Sequence, residues 1–178
     1  QKSATTTGTI NTVSSNNENG ADATFDYIYG NTSATVTLNA TPFQSGENKE
    51  YTFIHIDRYT GSYRKRIWQG VGTNYLSGFW AGRQGVYYQK NSFIHAVSRN
   101  IGNNWLLTVD QNISLGGIIK SYSYHNGQYV ANTYNSGGTS LASMTNLVIN
   151  AGTYGSESSD WGAAVVLMYD RHLTSSEI

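Results

Sequence analysis

Residues 161–178 read WGAAVVLMYDRHLTSSEI, and this stretch decides the fold. Residues 163–169 form an unbroken apolar run of strand length, rich in β-branched and aromatic residues. Ala163, Val165, Leu167 and Tyr169 point one way; Ala164, Val166 and Met168 point the other. Both faces are apolar, so the run is expected to be a central strand covered on both sides. Asp170, Arg171 and His172 close it with a polar turn. Thr174 and Glu177 then have capping-box spacing, which predicts a helix beginning there, although the sequence stops at Ile178.

Shorter β-like segments precede that run. Residues 23–29 alternate Phe25, Tyr27 and Tyr29 with Asp26 and Ile28; residues 34–40 alternate Ala34, Val36, Leu38 and Ala40 with Thr and Asn. In residues 50–59, Phe53, His55 and Asp57 share one face, and Ile54, Ile56 and Arg58 the other. A turn at 60–62 predicts that residues 63–69 return as the second arm of a hairpin. Residues 76–80, 85–89, 93–98, 105–110, 118–124, 128–134 and 146–150 are further strands. Asn126-Gly127 between two alternating runs is a strong hairpin signal. Residues 1–20 are Ser, Thr and Asn with few apolar groups, and read as a polar arm or linker in which Ile10 and Val13 seat at most a short edge strand.

Composition supports the same class. The 178 residues suit one domain, and 19 Gly against 1 Pro, 14 Tyr and only 12% charged residues describe an all-β domain with uncharged turns. With 11 basic and 11 acidic residues the formal charge is zero, which argues against nucleic-acid binding. There is no Cys, so disulfides and zinc–thiolate sites are excluded. No apolar run reaches the roughly 20 residues of a helical membrane span. Asn31, Asn39 and Asn112 head N-glycosylation triplets, a pattern expected by chance in so Asn/Ser/Thr-rich a chain. The expected fold class is therefore all-β: a two-sheet antiparallel β-sandwich of jelly-roll type over residues 21–178, behind an arm at 1–20.

Several pieces resemble, in order, the concanavalin A-like lectin/glucanase superfamily, and within it the laminin-G-like modules. Val165-Val-Leu-Met-Tyr-Asp-Arg171 and Leu173-Thr-Ser-Ser-Glu-Ile178 look like that family's last strand and its following segment. Residues 51–56 are similar to its alternating early strand, 105–109 to its Trp-led middle strand, and 124–129 to its Asn-Gly hairpin. The resemblance covers 23–178; residues 60–91 are longer and more aromatic than a minimal module. It implies a sandwich with a binding or adhesive role. It also implies calcium as the possible metal, with Asp110, Glu157 and Asp160 as the acids; none of these forms an Asp-x-Asp cluster, so they read better as structural acids, and no metal ligand is assigned.

Catalysis is disfavoured. The Glu-x-Asp-x-x-Glu signature of sandwich glycoside hydrolases is absent, as is a Gly-x-Ser-x-Gly nucleophile elbow. His55, His95, His125 and His172 lack ligand spacing. Residues 75–88, YLSGFWAGRQGVYY, interleave aromatics with Gly and Arg83. Flat rings stack on sugars and an arginine adds directional hydrogen bonds; the alternative is that Phe79, Trp80, Val86 and Tyr88 are core. A second group, Tyr59, Tyr63 and Trp68, lies beside Arg58, Arg64, Lys65 and Arg66, four of the chain's 11 cations. That basic segment either receives an acidic ligand or guards an edge.

The expected function is a non-catalytic recognition module for carbohydrate or glycoprotein at a cell, matrix or particle surface. The expected ligand-binding residues are Trp80, Arg83, Tyr87, Tyr88, Tyr63, Arg64 and Trp68. The competing classes are a structural or assembly subunit, oligomerising through its Tyr-rich faces, and a polysaccharide-active enzyme.

Overall fold

In a computed structural model, which describes residues 3–15, 18–39, 50–89, 92–96, 103–115, 118–129, 136–137 and 146–178, the described residues hold strands and no helix. The strands are β1 (Ala4–Thr7), β2 (Asn11–Ser15), β3 (Phe25–Gly30), β4 (Thr35–Leu38), β5 (Tyr51–Tyr59), β6 (Trp68–Val71), β7 (Leu76–Trp80), β8 (Arg83–Gln89), β9 (Ser92–Ala96), β10 (Leu106–Leu115), β11 (Ile118–His125), β12 (Gln128–Tyr129), β13 (Ser136–Gly137), β14 (Asn146–Ile149) and β15 (Trp161–Tyr169). They pair antiparallel into two sheets, β1-β4-β14-β6-β7-β8-β9 and β12-β11-β10-β5-β15-β3-β2, with β13 also on β11. The expected antiparallel two-sheet sandwich is what the chain forms.

Strand β15 lies between β5 and β3 as expected of a central strand, but only its first third is paired along both edges. β3 pairs with Trp161–Ala163 alone, while β5 runs on to Tyr169. A bulge between Ala163 and Val165 then changes the phase of the side chains. Ala163 points into the core, and beyond the bulge it is Val166 and Met168 that pack against it. Leu167 is left 45% exposed. The unbroken apolar run hid this, because either phase would bury an apolar face.

The interior is organised around Trp161, which is fully buried. Its indole N–H donates to the Ala34 carbonyl at 3.0 Å, tying β15 to the chain that leads into the opposite sheet. Gly30 makes room for it: a Cβ there would collide with the Ala34 Cβ and come within 3.1 Å of the Trp161 ring. Trp68, Phe53, Tyr59, Phe79, Leu147 and Ile149 complete this part of the core.

Two further expectations are corrected. Residues 63–69 are not the return arm of a hairpin with 50–59. β5 pairs with β10 and β15, whereas β6 pairs with β14 and β7 in the other sheet. Residues 60–67 are thus a crossover between sheets; they form no ladder with β5, and several of their polar groups bond to the loop before β15. At the chain end, the Glu177 carboxylate does reach back to the Thr174 amide (2.9 Å), as a capping box requires. The Thr174 hydroxyl, however, donates to that carboxylate (3.0 Å) and the segment is a turn. Arg171 grips Glu177 with both terminal nitrogens and, with Thr174, holds its carboxyl down at about 2.

The polar lead-in supplies strands to both sheets: β1 lies along β4, and β2 along β3. The Asn126-Gly127 hairpin forms as read, with both residues at positive φ and His125 opposite Gln128.

The phase change in β15 makes a direct prediction. Trp161→Ala is expected to cost about 3–5 kcal/mol of unfolding free energy. Leu167→Ala, in the same apolar run, is expected to cost less than about 1 kcal/mol. Urea titration of both variants measures the difference; equal losses would refute the placement of Leu167.

Candidate functional site

The crossover from β5 to β6 sits at one end of the sandwich, and hydrogen bonds to the loop before β15 fix it. Thr60 N–H donates to the Asp160 carbonyl (3.1 Å), and Asp160 N–H to the Tyr63 carbonyl (2.9 Å). The Asp160 side chain accepts from the Tyr63 amide at 3.1 Å. Ser159 Oγ accepts from the Lys65 amide and donates to the Arg66 carbonyl, both at 2.8 Å. Asn150, at φ 63°, anchors the far side. Its side chain accepts from the Ser159 amide (2.5 Å) and donates to the Asn31 and Ala34 carbonyls (3.0 Å each). The β7–β8 turn joins through Gly82 N–H, which donates to the Arg64 carbonyl at 2.9 Å. Three segments far apart in sequence thereby present their side chains together.

A pocket of about 190 Å³ opens there, lined by Arg66, Asn74, Leu76, Trp80 and Tyr88. Leu76 is buried, while Trp80 and Tyr88 are half-buried. Glu157 braces the wall: it accepts from the Trp80 indole N–H at 3.0 Å and forms an ion pair with Arg66 Nε. Arg66 also donates to Asn74 Oδ1 at 2.5 Å and lies 5.3 Å from the Tyr154 ring centre. Arg83 is exposed and stands 5.5 Å from the centre of the Trp80 ring. Such a set offers aromatic faces, fixed amide and guanidinium donors and a floor without charge, which suits a ring with one apolar face and hydroxyls at its rim.

The structure brings together Trp80, Arg83 and Tyr88, with Tyr63 and Arg64 on the adjoining loop. Tyr63 is 64% exposed. Trp68 and Tyr87 are elsewhere. Both are fully buried between the sheets, so neither ring face is open to a ligand. Trp68 meets Phe53 edge-on at 5.2 Å. Tyr87 takes a hydrogen bond with the Tyr51 hydroxyl and reaches Asn112 Oδ1 at 3.2 Å. Alternation along β8 separates Tyr87, inward, from Tyr88, outward. Arg66, Asn74, Tyr154 and Glu157 were missed as site residues. Arg66 carried a signal as one of the clustered cations, and Glu157 as one of the acids weighed for calcium.

The acids weighed for calcium are otherwise engaged: Glu157 with Arg66 and Trp80, Asp160 with the Tyr63 amide, Asp110 in the interior. No group of three or more His, Cys, Asp or Glu side chains suited to a metal occurs among the described residues. Asn112 is 1% exposed and is closed to glycosylation.

Asp110 belongs to a polar network that sequence reading did not foresee. His55 Nε2 is 2.7 Å from Ser77 Oγ, and His55 Nδ1 is 3.1 Å from Asp57. Ser, His and Asp thus meet as in a hydrolase triad. This one is sealed: all three are fully buried, and Ser77 donates its proton to Asp110 at 2.5 Å. The Ser77 proton is thus turned to Asp110 instead of to His55, whose Nε2 faces the hydroxyl oxygen. Ser123 donates to the other Asp110 oxygen (2.5 Å) and lies 3.0 Å from His125, which leads to the surface. Beside this, Gln89 donates to Ser121 (2.7 Å), and Ser121 to Asn112 (2.6 Å). Glycines give the space: a Cβ at Gly78 would lie 2.7 Å from the His55 ring, and one at Gly85 2.7 Å from His125.

Burial pushes the Asp110 carboxyl up from 3.8 to about 6, against the pull of Ser123 and Ser77. It also raises Asp57, against the pull of His55. A carboxyl raised on folding favours the native state when protonated, so its contribution is complete below pH 4 and is lost as pH climbs through 6. At about 1.4 kcal/mol per pH unit, Asp110 alone withdraws on the order of 2–3 kcal/mol between pH 4 and 7. Asp110→Asn is expected to flatten this fall, as chemical denaturation across that range would measure; an unchanged pH profile would refute it.

No family model matches the chain, and no curated protein matches it. Solved structures do resemble it. The binding domain of Paraclostridial Mosquitocidal Protein 1 superposes with a TM-score of 0.63 at 11% identity, over 99% of this chain and 46% of that one. Domain 4 of AbnA, a GH43 extracellular arabinanase from Geobacillus stearothermophilus solved with arabinotriose, also gives 0.63, at 13% identity, over 98% of this chain and 85% of that one. The Botulinum Neurotoxin DC binding domain, in complex with SialylT, gives 0.58 at 13% identity, over 98% and 44%. The chain spans about half the length of the toxin binding domains, and at these identities the likeness is one of fold: an all-β sandwich shared with binding domains of toxins and with domain 4 of an arabinanase.

Proposed function

We propose that the chain is a non-catalytic carbohydrate-binding module whose ligand enters the Trp80–Tyr88 pocket. The observation that carries the reading is the pocket itself. Two half-buried aromatic rings, an arginine and an asparagine surround about 190 Å³, a space for roughly one sugar ring. Glu157 holds Trp80 and Arg66 in place before any ligand arrives, which lowers the ordering cost of binding. The same acid is thereby engaged and leaves no carboxylate pair across the pocket for glycoside hydrolysis. The neighbours solved with arabinotriose and with SialylT support sugar as the ligand class. The chain-end pattern resembling laminin-G-like modules points the same way, and suits work on glycans outside cells or on a particle surface.

Trp80→Ala is expected to weaken glycan binding at least tenfold, about 1.4 kcal/mol, without changing the melting temperature by more than a few degrees. A glycan array followed by calorimetry on the best ligand measures it. An array without hits, or full affinity in the Trp80→Ala variant, would overturn the assignment.

A further inference from the structure

The four clustered cations are not equivalent. Arg66 is neutralised by Glu157, whereas Arg58 and Arg64 form no ion pair among the described residues. Arg58 stands on the face of β5 opposite His55 and Asp57, only 8% exposed. Its Nη1 donates to the Asn103 carbonyl at 3.3 Å and its Nη2 to the Tyr27 hydroxyl at 3.0 Å. Its Nε is buried with no acceptor. The guanidinium lies 5.1 Å from the Trp105 ring centre and 5.5 Å from that of Tyr27. Arg64 approaches the same asparagine: its Nη2 donates to Asn103 Oδ1 at 2.7 Å, and its Nε to the Gly61 carbonyl at 3.1 Å. Two cations therefore converge on one neutral residue. The nearby acid, Asp160, turns its carboxylate to the Tyr63 amide.

A buried cation without a counter-charge is costly, and a second cation beside it adds repulsion. Aromatic faces and carbonyl oxygens offset part of that cost and supply no negative charge. The planar fork of a guanidinium matches carboxylate and sulfate oxygens. We propose that Arg58 and Arg64 form a binding site for an anionic group, a carboxylate or sulfate, carried on a glycan. The glycan as its source rests on the carbohydrate reading above; the recognition of the anion does not. The site belongs to the sheet of β5 and adjoins the Trp80 pocket, to which it is linked by the Gly82 N–H donating to the Arg64 carbonyl and by the short chain from Arg64 to Arg66.

The test is thermal unfolding and tryptophan fluorescence of the whole chain in sodium sulfate against sodium chloride at equal ionic strength. Glucuronate against glucose, and a sulfated against an unsulfated disaccharide, form the second and third arms. Saturable stabilisation by sulfate or glucuronate is expected. Arg64→Gln should weaken it at least tenfold with the melting temperature of the ligand-free protein little changed. Arg58→Lys, which keeps the charge and loses the fork, should also weaken it. Trp105→Phe should remove the fluorescence response and keep the thermal one. Sulfate and glucuronate acting no better than chloride and glucose would overturn the proposal. So would a response that survives Arg64→Gln and disappears in Arg83→Gln. A sulfated disaccharide binding no tighter than free sulfate would overturn the glycan source. Neutral-sugar binding that persists in Arg64→Gln and fails in Trp80→Ala keeps the two sites apart: losing the pocket reading would leave an Arg64-dependent sulfate response standing.

Discussion

The distance between the sheets is set where the Trp161 indole reaches the Ala34 carbonyl. A side chain of that size, with one N–H to satisfy, must be placed by groups from both layers. Gly30 yields the volume and Ala34 the acceptor. Asn150 bonds to the same Ala34 carbonyl and to the loop that ends in β15. The loop cluster that presents Trp80 and Tyr63 hangs from this junction. Its geometry therefore depends on the core and is not a matter of loop sequence alone.

From that apolar end the interior changes character. Towards β10 and β11 the space between the sheets is filled by His55, Asp57, Ser77, Asp110, Ser123, Gln89 and Asn112. Polar interiors specify one pairing of neighbours when every group finds a partner, and cost stability when some do not. Both conditions occur here: Asp110 is held by two serines, while the Asp57 oxygens have His55 and the Trp68 indole nearby and no well-formed hydrogen bond. The cost appears as carboxyl groups pushed up by burial. The likeness to a catalytic triad is a product of this packing. Geometry alone does not make a nucleophile when solvent and substrate have no path to it.

Much of the fold was legible because strand alternation is a local signal. Phe53, His55 and Asp57 were placed on one face, and all three turn inward. The Asn126-Gly127 turn forms where it was read. The phase of β15 was not legible, since a bulge leaves no mark in a run apolar on both faces. The fate of residues 63–69 was also hidden: turn residues are the same whether a chain folds back in its sheet or crosses to the other. Aromatic clustering drew in Trp80, Arg83 and Tyr88, which lie near one another outside the core, and equally Trp68 and Tyr87, which are buried, because stickiness in sequence does not say which way a ring faces. Glu157 drew notice only as an acid weighed for calcium; its bracing of Trp80 from 77 residues away left no local signal.

The first strands have a consequence of their own. β1 finishes one layer and β2 the other, and Gly8 turns the chain between them, where a Cβ would lie 2.6 Å from the Ser33 carbonyl. Two short polar segments thus occupy the open backbone groups of β4 and β3. Without them, both of those strands would offer bare amides and carbonyls to any passing chain, a template for self-association. A stretch that reads as a mere tether is thus the outermost strand of each sheet on that side, so the margin presented there is short and polar.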